Sequence, residues 1–240
     1  MTNLIIIQAR MGSSRLPGKV LMKLEGKSIL EHVVNSLKFS KLPNKIIVAT
    51  TTNQIDDVIE TLCNHLNVDC FRGSPDDVLN RYFECAKLYQ GDIVVRITCD
   101  NPLIDPTLVD EAIKICTEKN CDYVSNMINQ TYPLGYLVEV LKFDVLKQNN
   151  DEIHDALTRE HVTYHIRQNP EMYNIVEFSA PEKLQRPDWR LTVDYQSDYN
   201  LMEKIFENLY KTNSYIQYAD VVAFLDKNSE LLKVNQKEIK

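Results

Sequence analysis

From Gln8 to Lys19 the chain reads Gln-Ala-Arg-Met-Gly-Ser-Ser-Arg-Leu-Pro-Gly-Lys, which packs two glycines, two serines and three cations into twelve residues. This composition suits phosphate. Gly12 lets backbone amides approach an oligophosphate closely, Ser13 beside it adds a hydroxyl donor, and Arg10, Arg15 and Lys19 bring charge to where a departing pyrophosphate accumulates it. Arginine offers a planar fork to phosphate oxygens and lysine a compact point charge. The spacing is neither Gly-x-x-x-x-Gly-Lys-Ser/Thr nor Gly-x-Gly-x-x-Gly, so an ATPase loop and a dinucleotide fingerprint are both excluded here. The competing reading is a solvated basic turn joining strand to helix.

Two carboxylates share a second pattern. Asp100 follows the apolar run Asp92–Ile97 in a turn closed by Pro102, and Asp194 follows the run Arg190–Val193. Each is expected where a strand stops. Mg2+ usually takes one or two protein carboxylates, leaving its other positions to phosphates and water, and such a pair can provide them. The structural alternative has Asp100 capping the Asn101-Pro102 turn and Asp194 starting the last helical region.

The elements that must position these groups are legible as alternation. Strands are expected at Leu4–Ala9, Lys45–Thr50, Asp69–Phe71, Asp92–Ile97 and Asp122–Ser125, separated by helices at Ser28–Phe39, Ile55–Asn67, Asp76–Tyr89 and Thr107–Lys119. That order predicts an α/β fold with a mostly parallel sheet covered on both faces. Ser74-Pro75 and Asp105-Pro106 each read as a cap followed by a proline at the first helical position. Beyond Ser125, Tyr132–Leu141, Asn174–Phe178 and Arg190–Val193 predict antiparallel strands beside that sheet, and helices are expected at Thr158–Gln168, Ser197–Tyr210 and Tyr218–Asn228. In such sheets ligands sit beyond the carboxyl ends of the strands.

Composition narrows the partners. The 240 residues are 44% hydrophobic and carry a formal net charge of −7, which leaves no basic field for nucleic acid. No apolar run approaches the ~20 residues of a membrane span, and the N-terminus enters a strand pattern at once, so a cytoplasmic location is expected. Six cysteines without a Cys-x-x-Cys pair read as buried reduced thiols.

The loop resembles the start of the spore-coat polysaccharide cytidylyltransferases, relatives of the enzymes that activate sialic acid and 3-deoxy-manno-octulosonic acid with CMP. The likeness continues in order through Val48–Thr51, Phe71–Ser74, Asp77–Tyr82, Arg96–Asp105, Asp122–Asn126, Arg159–Val162 and Arg190–Asp194. It implies a Rossmann-like three-layer nucleotidyltransferase fold with a small antiparallel insertion, formed by residues 1–240 as a single domain. Residues 127–180 would be the insertion that shapes the acceptor site and a homodimer, with Tyr132–His165 as the candidate interface. It further implies that Gln8, Ala9, Gly12, Ser13, Thr50, Arg72 and Gly73 bind the nucleotide, that Arg10, Arg15 and Lys19 act on the phosphates, and that Asp100 and Asp194 hold Mg2+. Arg96, Tyr132, Glu139 and Arg159 would contact the acceptor, although Arg96 and Arg159 also read as structural arginines. Cys99, Asn101 and Leu137 depart from the residues common in that family at these places.

The implied activity is transfer of CMP from CTP to a small sugar-like acceptor of the 2-keto-3-deoxy acid type, with pyrophosphate released, for surface polysaccharide biosynthesis. A sugar or polyol phosphate is the alternative acceptor. A nucleotide-sugar glycosyltransferase and a non-catalytic nucleotide-binding protein are the alternative classes. The first would have little use for a loop built around departing pyrophosphate.

Overall fold

The run Leu4-Ile5-Ile6-Ile7 is apolar at every position, which calls for cover on both faces of the strand it forms. In the computed structural model, which describes residues 1–238, it is an interior strand of a seven-stranded sheet. In chain order the strands are β1 (Asn3–Gln8), β2 (Lys23–Leu24), β3 (Lys27–Ser28), β4 (Lys45–Thr51), β5 (Asp69–Gly73), β6 (Ile93–Thr98), β7 (Tyr123–Ser125), β8 (Glu139–Lys142) and β9 (Ile175–Glu177). The helices are α1 (Ile29–Leu37), α2 (Asp57–Leu66), α3 (Val78–Leu88), α4 (Pro106–Lys119), α5 (Phe143–Glu152), α6 (Ala156–Glu160), α7 (Tyr164–Gln168), α8 (Gln196–Leu209) and α9 (Tyr218–Lys227).

The sheet runs β5-β4-β1-β6-β8-β7-β9. β1 pairs in parallel with both β4 and β6, and β4 in parallel with β5, so four carboxyl ends face one edge. Side-chain alternation splits the core in two. Ile5, Ile7, Val48, Val95 and Ile97 point toward α1, α4 and α8, while Leu4, Ile6, Ile47, Ala49 and Val94 pack against α3 and α5. Caps fix where helices begin. Ser28 and Glu31 form a reciprocal capping box on α1. Asp105 accepts from Thr107 N ahead of Pro106, as its sequence signal predicts.

Several expectations change. The antiparallel part is one strand, β8, inserted between β6 and β7, with β9 running parallel to β7 at the edge. A separate two-stranded hairpin, β2–β3, lies earlier in the chain. Of Tyr132–Leu141 only the end is strand, because Pro133 donates no backbone hydrogen bond and Gly135 takes φ +118°. Arg190–Val193 is not a strand either. It meets Leu134 through an isolated bridge and Asp100 through Val193 N. Thr158–Gln168 breaks into α6 and α7, with Val162 in the left-handed region at φ 43°. The cap of α3 is Asp77, which accepts from Asn80 N, while the Ser74 hydroxyl accepts from Asp77 N and closes the preceding turn. No helix among the described residues is long and apolar enough to cross a membrane.

Candidate active site

The loop after β1 is pinned before any ligand arrives. Asp56 accepts from Met11 N at 2.7 Å and from the Thr51 hydroxyl, and Gly18 N donates to Met11 O at 3.0 Å with Gly18 at φ 71°. This backbone brings Lys19 inward, where its ammonium donates to Asp100 Oδ2 and Asp194 Oδ1, both at 2.9 Å, and to Val193 O at 2.8 Å. Residues 81 and 175 positions away from Lys19 in sequence thus converge on one cation. Burial works against the Lys19 charge, but Asp100 and Asp194 outweigh it and raise the ammonium above its ordinary value. Burial likewise opposes ionisation of Asp194, whose carboxyl Lys19, Arg190 and Arg15 nevertheless hold below the usual range.

Each carboxylate has further support. The Thr98 hydroxyl donates to Asp100 Oδ1 at 2.6 Å, and Asn101 donates in turn to Thr98 Oγ1 at 3.0 Å. Arg190 donates to Asp194 Oδ2 at 2.8 Å while also pairing with the fully buried Asp198, whose Oδ2 accepts from the backbone of Asp194 and Tyr195. Arg15 pairs with Asp194 at 2.9 Å and lies over the Tyr195 ring, half exposed. Arg190 and Asp198 were missed as site residues. Their signal was present, since Arg190, Asp194 and Asp198 recur every four residues.

A cleft of about 260 Å3 opens here, lined by Gln8, Ala9, Arg10, Ser13, Arg15 and Lys19 on one side and by Asp100 and Asp194 on the other. Arg10 is 3.8 Å from Glu160 and otherwise reaches solvent. Gly12 has nothing within 4 Å of where a Cβ would sit, so the fold itself leaves that side open. The remaining expected nucleotide residues lie elsewhere. Thr50 is buried within the sheet, with its hydroxyl unpaired. Arg72 is committed to Asp57, Glu60 and the carbonyls of Thr51 and Asn53, so its fork ties β5 to the loop after β4. Gly73 instead makes room for Arg81, whose Cγ would be 2.9 Å from an added Cβ. Arg81 is wholly buried with one bond, to Ser74 O at 2.8 Å, while its Nε and Nη2 have no partner.

Beyond the carboxylates lies a second cavity of about 180 Å3, which shares Thr98, Asp100 and Asp194 with the cleft. Arg96, Glu139 and Thr192 line it, with Met127, Leu134 and Leu137 as an apolar wall. Arg96 Nη1 donates to Glu139 Oε2, and Glu139 Oε1 accepts from Tyr123 OH at 2.5 Å and from the Thr163 hydroxyl. Burial opposes the Glu139 charge, yet Arg96, Thr163 and Tyr123 hold its carboxyl below its ordinary value. Two expected acceptor residues are not brought here. Tyr132 is in the core between Phe178 and Tyr218, because the turn through Pro133 and Gly135 directs it inward. Arg159 grips Asp77 at 2.8 Å and the carbonyls of Asn150 and Ile153, which locks α6 against α3 and α5. No group of three or more His, Cys, Asp or Glu among the described residues is arranged to hold a metal, so the carboxylate pair stands without a third such ligand.

Comparison with known proteins follows the same lines. The family described as Cytidylyltransferase matches residues 4–233. The spore coat polysaccharide biosynthesis protein SpsF of Bacillus subtilis is 31% identical over 232 residues, 95% of each chain. A 3-deoxy-manno-octulosonate cytidylyltransferase of Trichlorobacter lovleyi is 37% identical over 111 residues, 45% of this chain and 42% of that one. The solved structure of a cytidylyltransferase from Leptospira borgpetersenii serovar Hardjo-bovis superposes with a TM-score of 0.92 at 30% identity, covering 97% of both chains. With the match spanning nearly the whole chain and both cavities meeting at its carboxylate pair, the protein belongs to the cytidylyltransferase family, the CTP-dependent nucleotidyltransferases.

Proposed function

We propose that the protein transfers CMP from CTP to a sugar acid of the 2-keto-3-deoxy type, releasing pyrophosphate, in the synthesis of a surface polysaccharide. The observation that carries this reading is the wall of Thr98, Asp100 and Asp194 shared by two cavities, one cationic and one partly apolar. Two substrates bound on either side of that wall meet at it. Likeness over part of the chain to a 3-deoxy-manno-octulosonate cytidylyltransferase supports the acceptor class.

In this reading Arg10, Arg15 and Ser13 hold the triphosphate, with Gln8 and Ala9 lining the same cleft. The acceptor hydroxyl oxygen bonds to the α-phosphorus as the bond to the bridging oxygen breaks, and the hydroxyl proton is released. The cations stabilise the leaving pyrophosphate, and most of the rate comes from positioning and electrostatics. Asp100 and Asp194 already converge on the Lys19 ammonium, so the pair fits a bound cation, and these two side chains would hold Mg2+. Bound there, the metal would neutralise charge on the phosphates.

The test is pyrophosphate release with each of four nucleoside triphosphates and Mg2+, against ulosonic acids and sugar or polyol phosphates, with Asp100→Ala as control. Release that requires CTP and an ulosonic acid, and is lost in the control, supports the reading. Release only with a phosphorylated acceptor overturns the acceptor class, and no release with any pair overturns the reaction.

A further inference from the structure

Asp194 sits midway along a segment whose two ends, Arg190 and Asp198, lie four residues to either side. The Asp198 carboxylate is fully buried, and a buried charge is tolerated only where its lone pairs are filled. Its Oδ2 accepts from Asp194 N, Tyr195 N and Arg190 Nη2, and its Oδ1 from Arg190 Nε at 2.9 Å. The remaining donor comes from the far end of the chain. Asn235, 1% exposed, gives one amide hydrogen to Asp198 Oδ1 and the other to the Arg190 carbonyl, both at 2.9 Å. A carbonyl and an ionised carboxylate only accept, so the chemistry fixes which end of the Asn235 amide faces them.

We propose that Asn235 is a positioning residue for Asp194: by tying the Arg190 backbone to the Asp198 side chain it closes the segment 190–198 into a rigid loop and fixes where the Asp194 carboxylate points. This rests on Asp194 serving the reaction, as in the transferase reading. Arg190 Nη2 is shared between Asp194 Oδ2 at 2.8 Å and Asp198 Oδ2 at 3.0 Å, so its hold on Asp194 depends on where Asp198 stands. Without Asn235, Asp198 Oδ1 keeps a single donor and the Arg190 carbonyl has none among the described residues. Asp198 is then free to turn and release the amides of Asp194 and Tyr195, and Asp194 loses its aim at the Mg2+ it would hold. Partners that orient a metal-binding side chain in this way are worth roughly 10- to 100-fold in affinity or activity.

The C-terminal segment is docked by other means. Short helical turns at Ser229–Val234 and Gln236–Glu238 flank Asn235, and Leu231 and Leu232 pack against the core. Ser197 Oγ donates to Glu238 Oε1 at 3.2 Å. With the tail held by these contacts, the two Asn235 donors are left to serve the loop around Asp194. Asn235 also lies just past residues 4–233, over which the family likeness runs.

The experiment follows backbone hydrogen exchange by NMR in the wild type, Asn235→Leu and Glu238→Ala, alongside pyrophosphate release from CTP and an acceptor as Mg2+ is varied. Leucine keeps the bulk of asparagine and removes both donors, whereas Glu238→Ala cuts the neighbouring tail contact and leaves them. In Asn235→Leu the Asp194 and Tyr195 amides should exchange roughly 5- to 10-fold faster, the scale of one hydrogen bond, while the amides of β1 and β6 keep their rates. The same variant should raise the half-saturating Mg2+ concentration roughly 10-fold and lower kcat, with the CTP KM at saturating Mg2+ unchanged. Glu238→Ala should match the wild type in both measurements. Unchanged exchange at Asp194 and Tyr195, acceleration spread evenly over β1 and β6, an unchanged Mg2+ requirement, or the same effects in Glu238→Ala would overturn the proposal. If the wild type turns over no acceptor, the transferase reading fails on its own. The exchange rates of Asp194 and Tyr195 then still decide the Asn235 brace, since unchanged rates count against it and locally faster ones for it.

Discussion

The Lys19 ammonium bridges Asp100 and Asp194 at 2.9 Å each, while Thr98 supports the first carboxylate and Arg15 and Arg190 the second. Lys19→Met leaves two partly buried carboxylates facing each other without it, so a divalent cation should bind the free protein more tightly. Mn2+ titration followed by electron paramagnetic resonance reads this directly. The same variant should lower the turnover of CTP by roughly 100- to 1,000-fold, the scale of removing one transition-state donor. Glu139 allows a stability test. Replacing it with Gln breaks a buried pair and should cost about 3–5 kcal/mol in urea denaturation. Because the folded Glu139 carboxyl lies below its ordinary value of 4.5, its contribution is complete above about pH 4.5. It is lost as pH falls through the lower folded value. The wild-type advantage over Glu139→Gln should therefore be flat from pH 7 to 5 and shrink only below that.

At the scale of elements, short polar side chains decide where helices start and what they join. Asp105 caps α4 through Thr107 N and also accepts from the buried Tyr218 N at 2.9 Å, which ties α9 to α4. Asp105→Ala should cost about 2–4 kcal/mol, the sum of a lost cap and an unpaired buried amide, measured by chemical denaturation. Asp77 is similarly doubled. It caps α3 and receives Arg159 from α6, which is why Arg159 is unavailable to a ligand. Sequence patterning placed these helices to within a few residues because the apolar stripe and the cap are local. It could not show that Thr158–Gln168 breaks at Val162, since both halves of that segment keep helical periodicity.

At the scale of the molecule, two chain segments far apart in sequence close the second cavity. Leu134 N donates to Trp189 O and Leu191 N to Leu134 O, and Gly135 sits between them at φ 118° with Leu191 O 2.1 Å from where a Cβ would be. Gly135→Ala should separate these segments, destabilise the fold by more than 2 kcal/mol on the scale of strained backbone sites, and abolish pyrophosphate release. Gly12→Ala is the contrast. With nothing within 4 Å of the new methyl, stability should change by no more than about 0.5 kcal/mol, while weaker CTP binding would report close approach of the phosphates to that backbone.

The amino-acid sequence by itself determined the alternating strands and helices, the parallel core around β1, the cationic loop and the two carboxylates that end strand-like runs. All of these follow from periodicity and composition within a dozen residues. Only the tertiary structure decided which charged groups are free. Arg72 and Arg159 looked like ligand contacts and are committed to Asp57, Glu60 and Asp77, and Tyr132 is core. Arg96 is paired with the buried Glu139, and Arg190 and Asp198 brace Asp194. The reason is physical. A side chain's type states what it can bind, but whether a partner is already within hydrogen-bonding reach depends on residues brought together across the sheet.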